Sequence, residues 1–397
     1  MKIMHIITDL NNGGAEATLC RLTAADRHSG NQHSVVCLMN RGIYADRLEQ
    51  DGIAVTCLNM PRGRLTVAGL LGLYRCIKTS KPDLIQTWMY HADLIGGIVA
   101  RLAGVKSIVW GIRHSNLDPE KNNKLSLLVA KICGRLSALI PAKIACCSEA
   151  AAPLHEAIGY RSEKIRIIPN GYPLDLIKSC TELRKKIRNE LGLGMQTPVI
   201  GMVARYHPQK DHGNLIDAMK RLKQNHHNEF SCLLVGDGMT QGNIELKQLI
   251  DQAGLEKNVL LLGPRVDIVA IMNALDIHVL SSLGEAFPNV VAEAMACGTP
   301  CVTTDVGDAA LIVGDTGWIA PPRNDDALAT AIASALTCHA EQPESWALRQ
   351  SACRTRIIDK FSMTSMLAAY QQLWSEVVTV NVAAPSQSEQ NKNQTRY

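Results

Sequence analysis

Short apolar runs alternate with amphipathic segments along this 397-residue chain, and this alternation constrains the fold more than any other feature. Residues 3–8, 34–39 and 83–87 have the length and composition of buried strands, whereas residues 15–28 and 91–103 have helical spacing. Strands that alternate with helices form a parallel sheet with helices on both faces. The first half of the chain therefore predicts a doubly wound α/β domain.

The same alternation starts again near residue 199, which indicates a second domain. Strand patterns recur in five short runs, with helical patterns between them: residues 199–203, 231–235, 259–262, 276–280 and 300–303. Two doubly wound, Rossmann-like domains fit this pattern better than one long sheet. Ligands bind such sheets at the carboxyl ends of strands, so the loops that follow the strands are the places to look for chemistry.

The domain boundaries follow from local composition. A charged stretch at 172–196 ends in glycines and a proline and marks the seam between the domains. We expect an N-terminal domain at 1–178, a C-terminal domain at 179–355, and a helix at 356–380 that packs back on the N-terminal domain. Residues 381–397 are polar and are predicted to form a disordered tail.

Charge is distributed unevenly between the two halves. Residues 1–180 carry 22 Lys and Arg against 14 Asp and Glu, a net charge of +8, and the remainder carries −4. The basic half could face phosphate, an anionic membrane or nucleic acid. An aromatic content of 4% and the absence of an arginine-rich run disfavour nucleic acid. Because no apolar run could span a bilayer and no signal segment precedes the first strand, we expect a cytoplasmic location.

The strongest candidate site follows the strand at 276–280. Residues 284–300 read GEAFPNVVAEAMACGTP, with a proline before a predicted helix and a glycine after it. The free N–H groups of Asn289 and Val290 can bind an anion at the helix N-terminus, and Glu285 and Glu293 flank that point. Taken alone, the glutamates are equally compatible with a solvated loop charge and an ordinary helix residue.

A cationic pair follows the first strand of the second half. Residues 201–212 read GMVARYHPQKDH, in which Arg205 and Lys210 lie in the loop after the strand. Transfer reactions with a diphosphate leaving group need cations at that diphosphate, and both side chains could reach one pyrophosphate. Two unrelated surface cations are the alternative.

Another loop, residues 262–267 with sequence LGPRVD, offers Arg265 and Val266 after a strand. Arg265 could equally be a loop residue that precedes a helix capped by Asp267.

In the first half, Gly13 and Gly14 follow the first strand, where they let the backbone approach a ligand or simply form a tight turn. His114 follows the strand at 107–112, and His91, after the strand at 83–87, is a weaker candidate.

These motifs resemble the signature of retaining glycosyltransferases of family 4, the group 1 glycosyltransferases with the GT-B fold. That signature has two glutamates separated by seven residues within E-A-F-P-N-V-V-x-E-A-M-A-C-G-x-P, and residues 285–300 match it almost completely. Residues 201–211 match the family pattern of an arginine and a lysine after a strand. The resemblance covers about residues 1–375 and implies two doubly wound domains that face each other across a cleft.

The resemblance also implies a role for each candidate residue. Glu285 would bind hydroxyls of the transferred sugar and Glu293 those of the nucleotide ribose. Arg205 and Lys210 would stabilise the leaving diphosphate, and His114 would lie beside the donor sugar. The remaining donor-binding residues implied by the family are Gly13, Gly14, Arg265, Val266, Phe287, Asn289 and Val290.

The implied reaction is transfer of a sugar from a nucleotide diphosphate, most simply UDP, to a hydroxyl with retention of configuration. The acceptor would be a lipid-linked or growing glycan, on polyprenyl diphosphate, in synthesis of a cell-surface polysaccharide such as O-antigen or capsule. No cofactor is expected besides the nucleotide-sugar co-substrate. No metal site is expected, because the sequence has no obvious cluster of ligating side chains.

One predicted helix bears on the location of the protein. Lys124, Lys131 and Arg135 fall within about 40° on a helical wheel. An adjoining face consists of apolar residues, Leu125, Val129, Ile132 and Leu136. Such a helix could lie on an anionic membrane, or it could pack on the core with a solvated charged edge. With the resemblance, it predicts a peripheral enzyme on the inner face of the plasma membrane.

Three alternatives remain at this point. Residues 235–242, VGDGMTQG, mimic a dinucleotide-binding loop, but Asp237 would oppose a pyrophosphate, which disfavours a dehydrogenase. A nucleotide-sugar epimerase of the same fold would need no acceptor. A non-catalytic nucleotide-sugar-binding subunit would not need the intact set of glutamates and cations.

Overall fold

The computed structural model of the protein describes residues 1–11, 13–114, 117, 124–225 and 229–383. These residues form two compact units. The first comprises Met1–Gly171 together with the chain from Met363 onwards, and the second comprises Tyr172–Ser362. The divisions lie close to the expected ones at 178/179 and 355/356. Of the expected tail, residues 381–383 are helical and residues 384–397 lie outside the described residues.

The first unit contains a seven-stranded sheet in the order β3-β2-β1-β4-β5-β6-β7, and all its strand pairs are parallel. Its central strands are buried along their whole length, and most of their residues are apolar. The elements are β1 (Lys2–Ile7), α1 (Gly14–Ala25), β2 (Gln32–Cys37), α2 (Ile43–Gln50), β3 (Ala54–Cys57), α3 (Val67–Ser80), β4 (Leu84–Trp88), α4 (Tyr90–Leu102), β5 (Ile108–Ile112), α5 (Lys124–Leu136), β6 (Lys143–Cys146), α6 (Ala151–Glu156) and β7 (Ile165–Ile167).

The second unit contains a six-stranded parallel sheet in the order β10-β9-β8-β11-β12-β13. The elements are α7 (Thr181–Glu190), β8 (Val199–Val203), α8 (His212–Gln224), β9 (Ser231–Val235), α9 (Ile244–Ala253), β10 (Val259–Gly263), α10 (Ile268–Ala274), β11 (Ile277–Leu280), α11 (Asn289–Ala296), β12 (Cys301–Thr304), α12 (Ala309–Val313), β13 (Trp318–Ala320), α13 (Asp325–Glu341) and α14 (Pro343–Lys360). The predicted class, α/β with two doubly wound sheets, is confirmed.

The C-terminal helix α15 (Met363–Ala383) packs on the first unit, in one apolar cluster with α1 and α2. The single helix expected at 356–380 is wrong in its start, because residues 356–360 are the end of α14 in the second unit. The break falls at Phe361 and Ser362. Tyr172 donates its N–H to the Phe361 carbonyl and forms an isolated bridge with Ser362, so these two residues pair in an extended form instead of continuing the helix.

The two faces of the first sheet are covered by different helices. Helices α3, α4, α5 and α6 contribute to one buried cluster, and α1, α2 and α15 contribute to the other. On the α15 side, Trp374 donates its ring N–H to the Gln86 side chain at 3.3 Å, which ties the C-terminal helix to β4. The core of each face is therefore built within the unit.

Candidate active site

The loop after β8 has a shape that its own side chains determine. Pro208–Lys210 forms a single 3₁₀ turn, and the His207 Nδ1 accepts the Gln209 N–H at 3.2 Å. Asp211 follows with φ of 50°, and its carboxylate accepts the Asn214 N–H at 3.4 Å as the N-cap of α8. This short capped turn places Lys210 at the carboxyl edge of the sheet.

The structure brings Lys210 and Glu285 into direct contact. The Lys210 Nζ forms an ion pair with the Glu285 Oε1, and both side chains are largely shielded from solvent. Ser282 also donates its hydroxyl to the same carboxylate oxygen at 2.7 Å. Two residues that are 75 positions apart in sequence thus share one point at the ends of neighbouring strands β8 and β11.

Hydrogen bonds to main-chain carbonyls hold the loop after β8 and the loop after β11 together. Leu283 donates its N–H to the Gln209 carbonyl at 2.8 Å, and the Gln209 side chain donates to the Gly284 carbonyl. The buried Ser281 hydroxyl bonds the carbonyls of Lys210 and Asp211 at 2.9 and 3.1 Å. The Lys210–Glu285 pair is therefore held by the backbone on both sides.

Gly307 supports the Glu285 loop from behind. It has φ of 54°, and a Cβ at this position would overlap the carbonyl oxygens of Glu285 and Ala286. Asp308 donates its N–H to the Ala286 carbonyl at 2.9 Å. A glycine is required here both by the left-handed conformation and by the close approach of the two loops.

Arg205 lies on the same loop as Lys210 but in a different environment. Its side chain is exposed, and it makes no hydrogen bond or ion pair within the part of the chain that the structure describes. An exposed guanidinium on the same loop as a half-buried ion pair is suited to an incoming anion.

The N-terminus of α11 opens at the same edge. Its N-cap residue, Pro288, makes no side-chain hydrogen bond to the helix, and the first N–H groups of a helix point out of its N-terminus. Asn289 accepts the Tyr172 hydroxyl at 2.7 Å, and Asn289 and Val290 are half-buried. Glu293 is half-buried too, between the buried residues Ala292 and Ala294. The structure thus brings Lys210 to Glu285, in the loop that precedes α11.

Three other residues expected to bind the donor have different surroundings. The Phe287 ring is buried and packs perpendicular to Phe361 at 5.4 Å between centroids, so its side chain belongs to the core. The Arg265 guanidinium is held by both oxygens of Asp267, at 2.8 and 2.7 Å, and by Glu190 at 2.7 Å. These hydrogen bonds raise the pKa of Arg265. The adjacent Val266 side chain is fully exposed.

In the first unit, the expected residues lie at the carboxyl ends of β1 and β5. Gly13 is extended, and its lack of a side chain makes room for the Glu16 carboxylate, which a Cβ would overlap. Burial raises the pKa of Glu16 to about 7. Gly14 begins α1, and His114 is half-buried just after β5.

Arg113 is a residue of this edge that the sequence patterns missed. Its guanidinium lies over the Trp88 ring at 4.5 Å, donates to Asn170 at 2.6 Å and bonds the Tyr370 hydroxyl. Through these contacts Arg113, which directly precedes His114, links the end of β5 to β4, to α15 and to Asn170 near the end of the unit. A lone arginine after a strand gives no sequence signal for such partners.

Neither a metal site nor a membrane span is visible in the described ranges. Within them, no three His, Cys, Asp or Glu residues are grouped as metal ligands. Among the helices of the same residues, none is long and apolar enough to cross a bilayer.

Two family models match consecutive parts of the chain. The model for Glycosyltransferase Family 4 matches residues 12–176, and the model for Glycosyl transferases group 1 matches residues 184–350. Together these ranges cover more than four fifths of the chain.

Characterised and solved proteins are similar over most of their length. An Escherichia coli UDP-Gal:alpha-D-GlcNAc-diphosphoundecaprenol alpha-1,3-galactosyltransferase is 27% identical over 78% of this chain and 79% of its own length. The putative glycosyltransferase EpsF of Bacillus subtilis is 26% identical, with coverages of 77% and 79%. The crystal structure of Anabaena HepE in complex with UDP-glucose superposes with a TM-score of 0.81 at 26% identity, over 96% of this chain and all of that one.

Proposed function

Because this chain belongs to the group 1 glycosyltransferases of family 4 and is a hexosyltransferase that uses a nucleotide sugar, we propose that it transfers a hexose from a UDP-sugar with retention of configuration. The proposed acceptor is a hydroxyl of a lipid-linked or growing glycan in cell-surface polysaccharide synthesis. The observation that carries the proposal is the Lys210–Glu285 pair, which lies on the same loop as the exposed Arg205 and just before the N-terminus of α11. Among the similar proteins, HepE binds UDP-glucose and the E. coli enzyme is named for a diphosphoundecaprenol acceptor.

The chemistry of this arrangement suits a diphosphate leaving group. As the glycosidic bond to the diphosphate breaks, negative charge grows on the phosphate oxygens, and Arg205, Lys210 and the α11 amides would stabilise it. The departing phosphate oxygen would accept the proton of the attacking hydroxyl on the same face of the sugar. Glu285 would accept hydrogen bonds from the sugar hydroxyls while it holds Lys210 in place. No covalent nucleophile is needed on this route.

The two glutamates should separate sugar transfer from nucleotide binding. Glu285→Gln removes the charge at the sugar end, so transfer should fall by about 100-fold or more while UDP affinity stays within about threefold. Glu293→Ala removes the ribose contact, so UDP affinity should fall by about tenfold. Calorimetric titration with UDP and a transfer assay with UDP-glucose measure the two effects.

Glu256→Gln, an exposed change away from the site, is the control and should alter neither quantity. Loss of UDP binding in Glu285→Gln with normal binding in Glu293→Ala would reverse the assigned roles. Turnover of UDP-glucose to another nucleotide sugar without any acceptor would favour the epimerase and contradict the proposed transfer.

Metal removal should have little effect on the proposed reaction. Arg205, Lys210 and the α11 amides supply the positive charge that a divalent cation would otherwise bring to the diphosphate. We expect activity after EDTA treatment to stay within about twofold of the untreated enzyme. Complete loss, restored by Mg²⁺ or Mn²⁺, would contradict this part of the proposal.

Helix α5 supports the proposed peripheral location on the inner face of the plasma membrane. Lys124, Lys131 and Arg135 are exposed, as expected of a basic stripe. The apolar face beside it differs from the expected one, because Val129 is buried in the core and Ile132 and Leu136 are half-buried. The exposed apolar side chains of the helix are Leu125 and Leu128.

Reversing the α5 charges should weaken binding to anionic vesicles. Each basic residue near such a surface contributes about 1 kcal/mol, so Lys124→Glu, Lys131→Glu and Arg135→Glu together should reduce binding at low salt by more than about 100-fold. Co-sedimentation with phosphatidylglycerol vesicles measures this, and UDP affinity should be unchanged. If the wild-type protein does not sediment with these vesicles, the membrane location is wrong and the transferase proposal survives.

A further inference from the structure

Exposed apolar side chains are concentrated on one face of the first unit. Helices α3, α4 and α5 pack side by side on that face of the sheet. The described residues of this layer and the loop before it expose Leu65, Val67, Leu71, Tyr74, Ile98, Leu102, Leu125 and Leu128. The opposite layer of α1, α2 and α15 exposes only Ile43 and Val380 among its described large apolar residues. The asymmetry indicates that one face meets something other than water.

Helix α3 and the loop before it carry the densest part of this face. The exposed fractions are 61% for Leu65, 74% for Val67, 49% for Leu71 and 37% for Tyr74. Val67, Leu71 and Tyr74 fall within about 60° on a helical wheel. The helix is otherwise well formed, because Thr66 caps its N-terminus and Leu73 and Ile77 anchor its inner side in the core. The fold of the unit therefore buries the inner side of α3 and leaves its outer apolar stripe exposed.

The charges around this stripe have one sign. Residues 52–82 contain no Asp or Glu, and their five Lys and Arg side chains are all exposed: Arg62, Arg64, Arg75, Lys78 and Lys81. In the neighbouring α4, the single acidic side chain, Asp93, is completely buried. Helix α5 has no acidic residue at all. Helices α3, α4 and α5 thus present apolar and basic groups to solvent without an exposed acidic side chain among them.

We propose that residues 62–78, the β3–α3 loop with the outer stripe of α3, form the element of this protein that inserts into an anionic lipid bilayer. The proposal rests on the peripheral location proposed above and names a different surface for it. The outer apolar stripe of α3, flanked by long basic side chains, fits the interface between acyl chains and anionic headgroups. The leucines and the tyrosine enter the acyl boundary, and the basic side chains reach phosphate groups.

The composition of the two stripes assigns them different roles. On α5, Leu128 lies among three cations, Lys124, Lys131 and Arg135, so this helix contributes charge attraction. On α3, the stripe has three apolar side chains and one cation, Lys78, so this helix contributes burial of apolar area. Binding should therefore lose its salt-resistant part when α3 is changed and its salt-sensitive part when α5 is changed.

The test uses the full-length protein and vesicles of phosphatidylglycerol and phosphatidylcholine. In Leu65→Ser/Val67→Ser/Leu71→Ser the charges are kept, and binding should fall by about tenfold or more, including the part that persists at high salt. The matched control is Ile244→Ser/Leu348→Ser on the second unit, whose side chains are 70% and 72% exposed. It should bind vesicles like the wild type. Both variants should keep the wild-type melting temperature and UDP affinity.

Insertion itself can be measured with a tryptophan placed at either stripe. Leu71→Trp should be quenched by lipids brominated on their acyl chains, whereas Leu128→Trp should be quenched distinctly less. The α3 proposal is wrong if the Leu65→Ser/Val67→Ser/Leu71→Ser variant binds vesicles like the wild type. It is also wrong if Leu71→Trp and Leu128→Trp are quenched equally. Neither result would contradict the peripheral location. Concentration-dependent dimerisation that the same serine variant abolishes would assign the stripe to a second copy of the chain and would also overturn it. If the wild-type protein does not bind vesicles, the α5 and α3 membrane proposals are both wrong, and the transferase proposal is unaffected.

Discussion

Lys210→Ala and Arg205→Ala should each lower kcat by about 100-fold or more, since each removes a cation from a diphosphate that gains charge in the transition state. Lys210 is already oriented by Glu285 and by the bonds between the two loops, so its charge is in place before the substrate arrives. Arg205 has no such partner in the described structure and should act mainly when the donor is bound. We therefore expect the larger fall in kcat for Lys210→Ala.

Steady-state kinetics with UDP-glucose and a glycan acceptor would check this expectation. Lys220→Ala, an exposed lysine on α8, is the matched control and should keep wild-type kcat. Because the Lys210–Glu285 pair is not deeply buried, its loss should change the melting temperature only slightly. Activity within about threefold of the wild type in both site variants would remove the cationic pair from the mechanism.

The fold could be predicted because its physical signal is local. The strands β1, β4, β5, β8 and β9 are largely buried on both faces, so their sequences are short, mostly apolar runs that stand out from the helices between them. The edge strand β13 has only three residues, too few to stand out in the sequence, and it is defined by its parallel pairing with β12. Short edge strands are defined by their neighbours more than by their own sequence.

The candidate site was only partly predictable, because its contacts join distant segments. The positions of Arg205, Lys210 and Glu285 at strand ends follow from the alternation of strands and helices. The direct pairing of Lys210 with Glu285 does not, since it depends on the register of β8 against β11. The same holds for Arg265, whose partner Glu190 lies at the end of α7, and for the partners of Arg113. The roles of these residues in binding and catalysis stay predictions.

Asp276 is the centre of a buried ionic network at the amino end of β11. It accepts hydrogen bonds from Arg184 at 2.6 Å, from Arg188 at 2.7 Å and from the Val199 N–H at 2.8 Å. Arg188 is completely buried and also donates to the carbonyls of Ala274, Gly194, Met195 and Thr197. Burial alone would raise the pKa of Asp276, but the hydrogen bond to His339 and the two guanidinium groups hold it far below the ordinary value.

Asp276→Asn should lower the free energy of unfolding of the second unit by about 3–5 kcal/mol, because it leaves the Arg188 charge buried without its counter-ion. Since the depressed pKa keeps the carboxylate ionised, the wild-type contribution is present above the ordinary carboxyl range and is lost only as pH falls through the folded-state value. Urea unfolding followed by tryptophan fluorescence, to which Trp318 and Trp346 of the second unit contribute, would measure this change.

The control for the buried network is a surface ion pair in the same unit. Asp326, which is largely exposed, lies 3.5 Å from Arg221, and Asp326→Asn should change stability by less than about 1 kcal/mol. An equally small effect of Asp276→Asn would contradict the assigned role of the network. Because Asp276 lies at the opposite end of β11 from the loop that carries Glu285, kcat per folded molecule should stay at the wild-type value. If kcat of Asp276→Asn falls although the protein is fully folded, the network also determines the geometry of the Lys210–Glu285 pair.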